Sequence, residues 1–176
     1  MKRRVLMGAS VAAAAVAAGA GFSLYRSKTS GADDVPELWQ LSFEQPGGGS
    51  LAMAGLRGKP MLLNFWATWC APCIREMPML NQFHRDRQAS GWQVVGLAVD
   101  SPTPVREFLT RLPVAFPIGL AGMEGAELSR KLGNINGSLP FTVVFGADGS
   151  VIARKLGAVS AAELDSWAKK GGPAST

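Results

Sequence analysis

The sequence predicts an α/β domain built in layers, with a central sheet covered by helices. Three features predict it. Apolar runs that suit strands buried on both faces, Met61–Trp66 and Trp92–Val99, alternate with segments whose apolar residues recur at helical spacing. A Cys-Ala-Pro-Cys stretch lies between the first of these runs and the helical segment that follows it. The chain then closes on two strand-like runs, a short turn between them, and a last helical segment.

The elements follow in order. Residues 1–25 have the layout of an export leader. Lys2-Arg3-Arg4 precedes an uncharged, Ala- and Gly-rich run from Val5 to Tyr25. Such a run is either cleaved as a signal peptide or retained as an N-terminal membrane anchor, since about 20 apolar residues can span a bilayer. Either outcome puts the rest of the chain outside the cytoplasm. The start weakly resembles a twin-arginine signal, and no cysteine near the end of the run could carry a lipid. Residues 26–36 read as a polar linker. Trp39–Phe43 and Leu51–Ala54 read as short strands of a hairpin around the Pro46–Gly49 loop. After a turn at Leu56–Pro60 comes the Met61–Trp66 strand.

A helix is expected from Cys73 to about Gln88, with Ile74, Met77, Leu80 and Phe83 on its apolar face and a kink at Pro78. Trp92–Val99 is the next strand, Pro104–Leu112 a helix, Phe116–Leu120 a short strand or extended loop, and Glu124–Leu132 a helix. Phe141–Phe145 and Val151–Leu156 are strands joined by Ala147–Ser150. Ala161–Lys170 closes the chain as a helix, with Ser160 and Glu163 placed as a capping box. Residues 172–176 form a tail.

Charge excludes one class of function. The net charge is +5, but five basic residues and no acid lie in the first 28 positions, leaving thirteen of each sign in the remainder. A formally neutral body with no basic run is not a nucleic-acid surface. Two cysteines three apart are too few and too close for a disulfide-stapled scaffold. With one histidine, His84, they are also too few for a structural zinc site, which takes about four ligands. Covalent haem attachment needs a His directly after Cys73, where Ile74 stands. No metal or cofactor is expected.

Thiol exchange remains, beside a purely structural disulfide, to which so small a loop would contribute little. A cysteine at a helix N-terminus has its thiolate stabilised, and the thiolate is the nucleophile. Cys70 is therefore expected to attack a partner disulfide, and Cys73, within one helical turn, to resolve the mixed disulfide. Pro72 stiffens the intervening loop. Trp66 and Trp69 are expected to shield the pair, with Trp69 also offering apolar contact to a partner. His84, among Arg85, Asp86 and Arg87, reads as a solvated surface residue.

The block Asn64-Phe65-Trp66-Ala67-Thr68-Trp69-Cys70-Ala71-Pro72-Cys73, followed by Arg75-Glu76-Met77-Pro78, closely resembles the TlpA/ResA-type thioredoxin-like reductases of bacterial envelopes. The resemblance spans roughly residues 36–171. It implies a thioredoxin-like fold over 37–171: a mixed sheet flanked by helices, with an N-terminal β-hairpin and an insert between βαβ and ββα halves. It implies a monomeric protein-disulfide reductase on the periplasmic side of the envelope, acting on exported proteins such as apocytochrome c or copper-site assembly factors. A membrane electron donor would re-reduce the pair.

Gly137-Ser138-Leu139-Pro140-Phe141-Thr142 is similar to the family's cis-proline loop. Pro140 would then face the cysteines, and the Leu139 backbone would pair with substrate. Thioredoxins of the cytoplasm carry a buried Asp where this chain has Asn64, which cannot take a proton. Asp100 and Glu76 are the candidate replacements, and Asp100 is the expected assistant at Cys73. A thiol peroxidase would need a Pro-x-x-x-Thr-x-x-Cys pattern that is absent. A copper chaperone of this fold would carry more widely spaced cysteines and a His after His84, also absent.

Overall fold

The computed structural model describes Val35 and residues 37–171. The leader expected over 1–25, the 26–36 linker apart from Val35, and the 172–176 tail lie outside these residues. Among the described residues no helix is long and apolar enough to cross a membrane.

Seven strands form one mixed sheet: β1 (Ser42–Glu44), β2 (Ser50–Ala52), β3 (Met61–Trp66), β4 (Gln93–Ala98), β5 (Ile118–Leu120), β6 (Phe141–Phe145) and β7 (Val151–Leu156). Their spatial order is β2-β1-β5-β4-β3-β6-β7. The helices are α1 (Ala71–Arg87), α2 (Pro102–Arg111), α3 (Gly122–Lys131) and α4 (Ala161–Gly171). Strand β3 is parallel to β4 and antiparallel to β6, which makes it central. This is the thioredoxin-like arrangement expected from the sequence. β3-α1-β4 is the first half and β6-β7-α4 the second, with α2, β5 and α3 inserted between them.

The run Met61–Trp66 lacks polar alternation because both faces of the sheet are covered, and all six residues are buried. Successive side chains still point to opposite sides. Leu62 and Trp66 join Met77, Leu80, Val105, Phe108, Leu164 and Trp167 on the face carrying α1, α2 and α4. Met61, Leu63 and Phe65 join Leu38, Met53, Leu128 and Leu132 on the face carrying α3.

Some boundaries differ from the sequence expectation. The strand expected at Trp39–Phe43 is a 3-10 turn over Leu38–Gln40 followed by β1, and the one expected at Leu51–Ala54 is β2 followed by a 3-10 turn over Met53–Leu56. Leu38 and Trp39 are adjacent and both buried. A one-sided strand alternates its faces, whereas a tight turn carries both side chains into the same core. The hairpin itself forms, with Phe43 opposite Leu51. Of the stretch Phe116–Leu120, only Ile118–Leu120 is strand; it pairs with β4 and, through Leu120 and Glu44, with β1. The capping box at α4 is present. Ser160 Oγ accepts from the Glu163 amide, and the Glu163 carboxylate accepts from the Ser160 amide and hydroxyl. Helix α1 continues through Pro78 over 17 residues.

Gly119 is where β5 meets the hairpin most closely. A methyl group there would lie 2.8 Å from Phe43 Cβ and 2.8 Å from Leu97 Cδ2. Phe43 Cβ cannot retreat without moving β1. Gly119→Ala is therefore expected to destabilise the domain by about 1–3 kcal/mol, read from urea unfolding; an unchanged midpoint would mean that β1 yields freely.

Candidate active site

Strand β3 ends at Trp66, and four residues separate it from α1. The structure starts this helix at Ala71, two residues before the expected Cys73. Pro72 is suited to the first turn, where its missing N–H would be unpaired anyway. Cys70 becomes the N-cap: its Sγ accepts from the Cys73 amide at 3.3 Å, and its carbonyl accepts from the Ile74 amide at 3.1 Å. Cys70 and Cys73 form a disulfide with Cα atoms 5.3 Å apart.

The two sulfurs have different surroundings. Cys70 keeps 5% of its surface open and Cys73 none. Both adjoin the apolar cluster that includes Trp66 and Met77. In the reduced state, the helix-start amides favour negative charge on Cys70. Apolar burial opposes charge on Cys73.

Beneath the pair lies a polar cluster that the sequence did not announce. Asn64 Nδ2 donates to Glu76 Oε1 at 2.8 Å and to Thr142 Oγ1 at 3.0 Å. Glu76 Oε2 accepts from the Val159 amide at 2.8 Å. All three side chains are buried, with Glu76 at 3% exposure. Burial pushes the Glu76 carboxyl above its ordinary value; the bonds from Val159 and Asn64 pull the other way and do not overcome it. Glu76 lies three residues after Cys73, so the two share a helix face, with Cβ atoms about 5–6 Å apart in such geometry. Glu76 belonged to the expected set. Asn64 entered it only as a missing acid, while Thr142 and Val159 had no signal beyond the cross-strand pairing of Asn64 with Thr142, which is visible only in the folded register.

Asp100, just past β4, is engaged elsewhere. Its Oδ2 accepts from the Thr68 amide at 2.8 Å and from the Thr68 hydroxyl, and its Oδ1 accepts from the Ser101 amide at 2.7 Å. It holds the loop that carries Trp69 and Cys70. Trp66 is fully buried beside the pair, but Trp69 is 70% exposed. The expectation that both indoles shield the cysteines therefore holds for Trp66 alone, because Trp69 projects from the loop rather than into the sheet.

The Leu139–Pro140 peptide is cis. Asn134, fully buried, ties the approach to it. Asn134 Oδ1 accepts from the Ser138 amide, and Nδ2 donates to the Ser138 carbonyl and to Ser129 Oγ on α3. Sequence reasoning passed over Asn134, since an Asn between Gly133 and Gly137 reads as an ordinary loop residue. His84 is also not the solvated residue expected. It is half-buried, its ring meets Phe116 edge-on at 6.2 Å, and burial, with Arg85, lowers its pKa. The insert brings Phe116 against a helix face that reads as polar. Among the described residues no group of three His, Cys, Asp or Glu side chains could hold a metal ion.

Comparison with known proteins agrees with this geometry. The model of the Redoxin family matches residues 33–168. The chain is 28% identical over 158 residues to "Thiol-disulfide oxidoreductase ResA" of Bacillus thuringiensis, covering 85% of this chain and 87% of that one. Among solved structures it resembles a thiol:disulfide interchange protein of the thioredoxin family from Chlorobium tepidum, with TM-score 0.67 and 28% identity, covering 74% of this chain and 92% of that one. A secreted disulfide oxidoreductase of Mycobacterium tuberculosis, described as homologous to Escherichia coli DsbE, aligns with TM-score 0.64 and 25% identity, covering 77% of this chain and 99% of that one.

The raised Glu76 pKa has a consequence for stability. An unfolded Glu titrates near 4.5, and the folded one titrates higher. Between those values the folded chain holds a proton that the unfolded chain has lost, so stability falls as pH rises through the window. Glu76→Gln removes this component, and an Asn64 amide flip can satisfy the new amide. Urea unfolding of the oxidised proteins from about pH 4 to about pH 8 should show the unsubstituted chain losing stability relative to Glu76→Gln as pH rises. Parallel profiles would contradict a buried, titrating Glu76.

Proposed function

Because this chain belongs to the Redoxin family, we propose that it is a thiol-disulfide oxidoreductase that reduces disulfides in exported proteins. One observation carries the reading: a redox pair at a helix start, with the Cys70 sulfur capping the helix and Cys73, the more deeply buried of the two, one turn in. The similarity to a thiol-disulfide oxidoreductase over most of both chains supports it.

The cycle begins with both thiols reduced. The Cys70 thiolate attacks one sulfur of a substrate disulfide. The substrate S–S bond breaks, its electron pair leaves on the second sulfur, and that sulfur takes a proton from solvent. Cys73 then gives up its proton and attacks Cys70 Sγ, and the first substrate sulfur leaves as a thiolate. Two electrons have passed to the substrate, and the Cys70–Cys73 disulfide is the product on the enzyme. A dithiol donor reverses these steps to restore the enzyme.

Glu76 is the acceptor of the Cys73 proton in this scheme. It lies on the Cys73 face of α1, and a carboxyl whose pKa is raised by burial is a stronger base than an ordinary carboxylate. Asp100 accepts from Thr68 and Ser101 and so positions the Cys70 loop, whereas Glu76 is the acid that shares the Cys73 face of α1. In this scheme Pro140 and the Leu139 backbone receive the substrate chain, and Trp69 and Pro72 supply the opposing surface. The leader pattern of residues 1–25 and the secreted relative support a site of action in the cell envelope, anchored or released; a membrane dithiol as donor and a monomeric enzyme complete the proposal.

Two measurements test this. The reduction potential of the pair should lie near that of thioredoxin, about −270 mV; a value near −120 mV would make the protein an oxidant instead. Cys73→Ser should accumulate a mixed disulfide with a disulfide-containing substrate, and Cys70→Ser should form none. Resolution of that mixed disulfide by the intact pair should slow by at least about 100-fold in Glu76→Gln and lose its pH dependence. Asp100→Asn should retain the pH dependence, and the opposite pattern would move the proton to Asp100.

A further inference from the structure

A groove of about 530 Å³ opens beside the redox pair, walled by Trp69, Val99, Asp100, Met123, Ala126 and Leu139. Neither cysteine lines it, but two of its walls are the chain neighbours of the site: Trp69 precedes Cys70 and Leu139 precedes Pro140. The far wall comes from α3, which lies in the insert rather than in either half of the redox fold. Met123 on that wall is 81% exposed and Trp69 opposite is 70% exposed. Two large, open apolar side chains facing one groove mark a surface that receives something.

From this geometry we infer that α3 makes the enzyme selective, through Met123 and Ala126, for disulfides whose cysteine is followed or preceded closely by an apolar side chain. The inference rests on the thiol-disulfide reading above and specifies the substrate for that same site. The reach of the substrate chain identifies the occupant. A substrate cysteine attacked by Cys70 must sit on its Sγ, and an extended chain advances about 3.3 Å per residue. Only side chains within one or two residues of that cysteine can enter a groove that starts at Trp69. The wall chemistry identifies the side chain: thioether, Ala methyl, Val, Leu and the indole face dominate it, against few polar groups, the Trp69 indole N–H, Ser101 and Ser129, whose hydroxyl donates to the Ala126 carbonyl. The one charge, Asp100, already accepts from the Thr68 amide and hydroxyl and from the Ser101 amide, and its sign disfavours an acidic occupant. The unbranched thioether of Met123 adapts to several apolar shapes, so the selectivity is for a class rather than for one residue.

Peptide disulfides carrying Leu or Ser next to the reacting cysteine, with hydroxyethyl disulfide as a small substrate, separate the outcomes. The unsubstituted enzyme is expected to prefer the Leu peptide by roughly 10-fold in kcat/KM, with the difference in KM. Met123→Ser removes one wall, and Ala126→Met fills the groove; Met123 is exposed and Ala126 is half-buried facing the groove. Each variant should bring the Leu-to-Ser ratio close to one while leaving the hydroxyethyl disulfide rate unchanged. Equal rates for the two peptides with the unsubstituted enzyme, or a preference that survives both variants, would overturn the inference. Failure to reduce any of the three substrates would instead overturn the thiol-disulfide reading.

Discussion

The buried carboxylate of Glu76 ties this domain together. It reaches Asn64 on β3 and the Val159 amide just before α4, while Asn64 also reaches Thr142 on β6. Apolar contacts such as those of Met77 and Leu80 hold α1 on the sheet but are non-directional, so they tolerate small slides. The hydrogen bonds do not. A buried carboxyl left without its donors carries a heavy desolvation cost, so α1, two central strands and the chain entering α4 are in register together or the cluster fails. That register places Cys70 at the helix start and Cys73 one turn in.

The same arrangement sets up a tension that suits thiol exchange. Cys70 sits where the helix favours an anion, and Cys73 sits where apolar packing opposes one. One sulfur is thereby prepared to attack and the other to wait. The loop carrying Cys70 depends on Asp100, which grips Thr68, and the cis-proline loop depends on Asn134, which grips Ser138. Both grips come from residues at or beyond the end of β4. The insert between the two halves thus steadies the far side of the site and also forms one wall of its groove.

Much of the fold was legible because burial on both sides of a sheet leaves long apolar runs. Met61–Trp66 and Phe141–Phe145 are strands over the spans the sequence suggested; Val151–Leu156, an edge strand with Arg154 and Lys155, was legible instead from the turn that joins it to Phe141–Phe145. The capping pair Ser160 and Glu163 was legible because it acts within one turn. The 3-10 turns at Leu38–Gln40 and Met53–Leu56 were not, since short apolar stretches serve a turn or a strand equally well until the core on one side is known. His84 was misread for the same reason: charged neighbours along the helix say nothing of Phe116 arriving from the insert.

The sequence by itself determined the chemistry. Two cysteines a helical turn apart after a buried strand, with too few other ligands for a metal, leave thiol exchange as the reaction, and local helix geometry is enough to rank the two sulfurs. Tertiary structure decided how that chemistry is served. Along the chain Asp100 was the favoured acid and Glu76 the second candidate, and only the folded contacts give Asp100 to Thr68 and bury Glu76 on the Cys73 face. The physical reason is range. Capping, periodicity and thiolate stabilisation act within a few residues and are written locally, whereas desolvation of a carboxyl and the walls of a groove come from segments dozens of residues apart that meet only when the sheet closes.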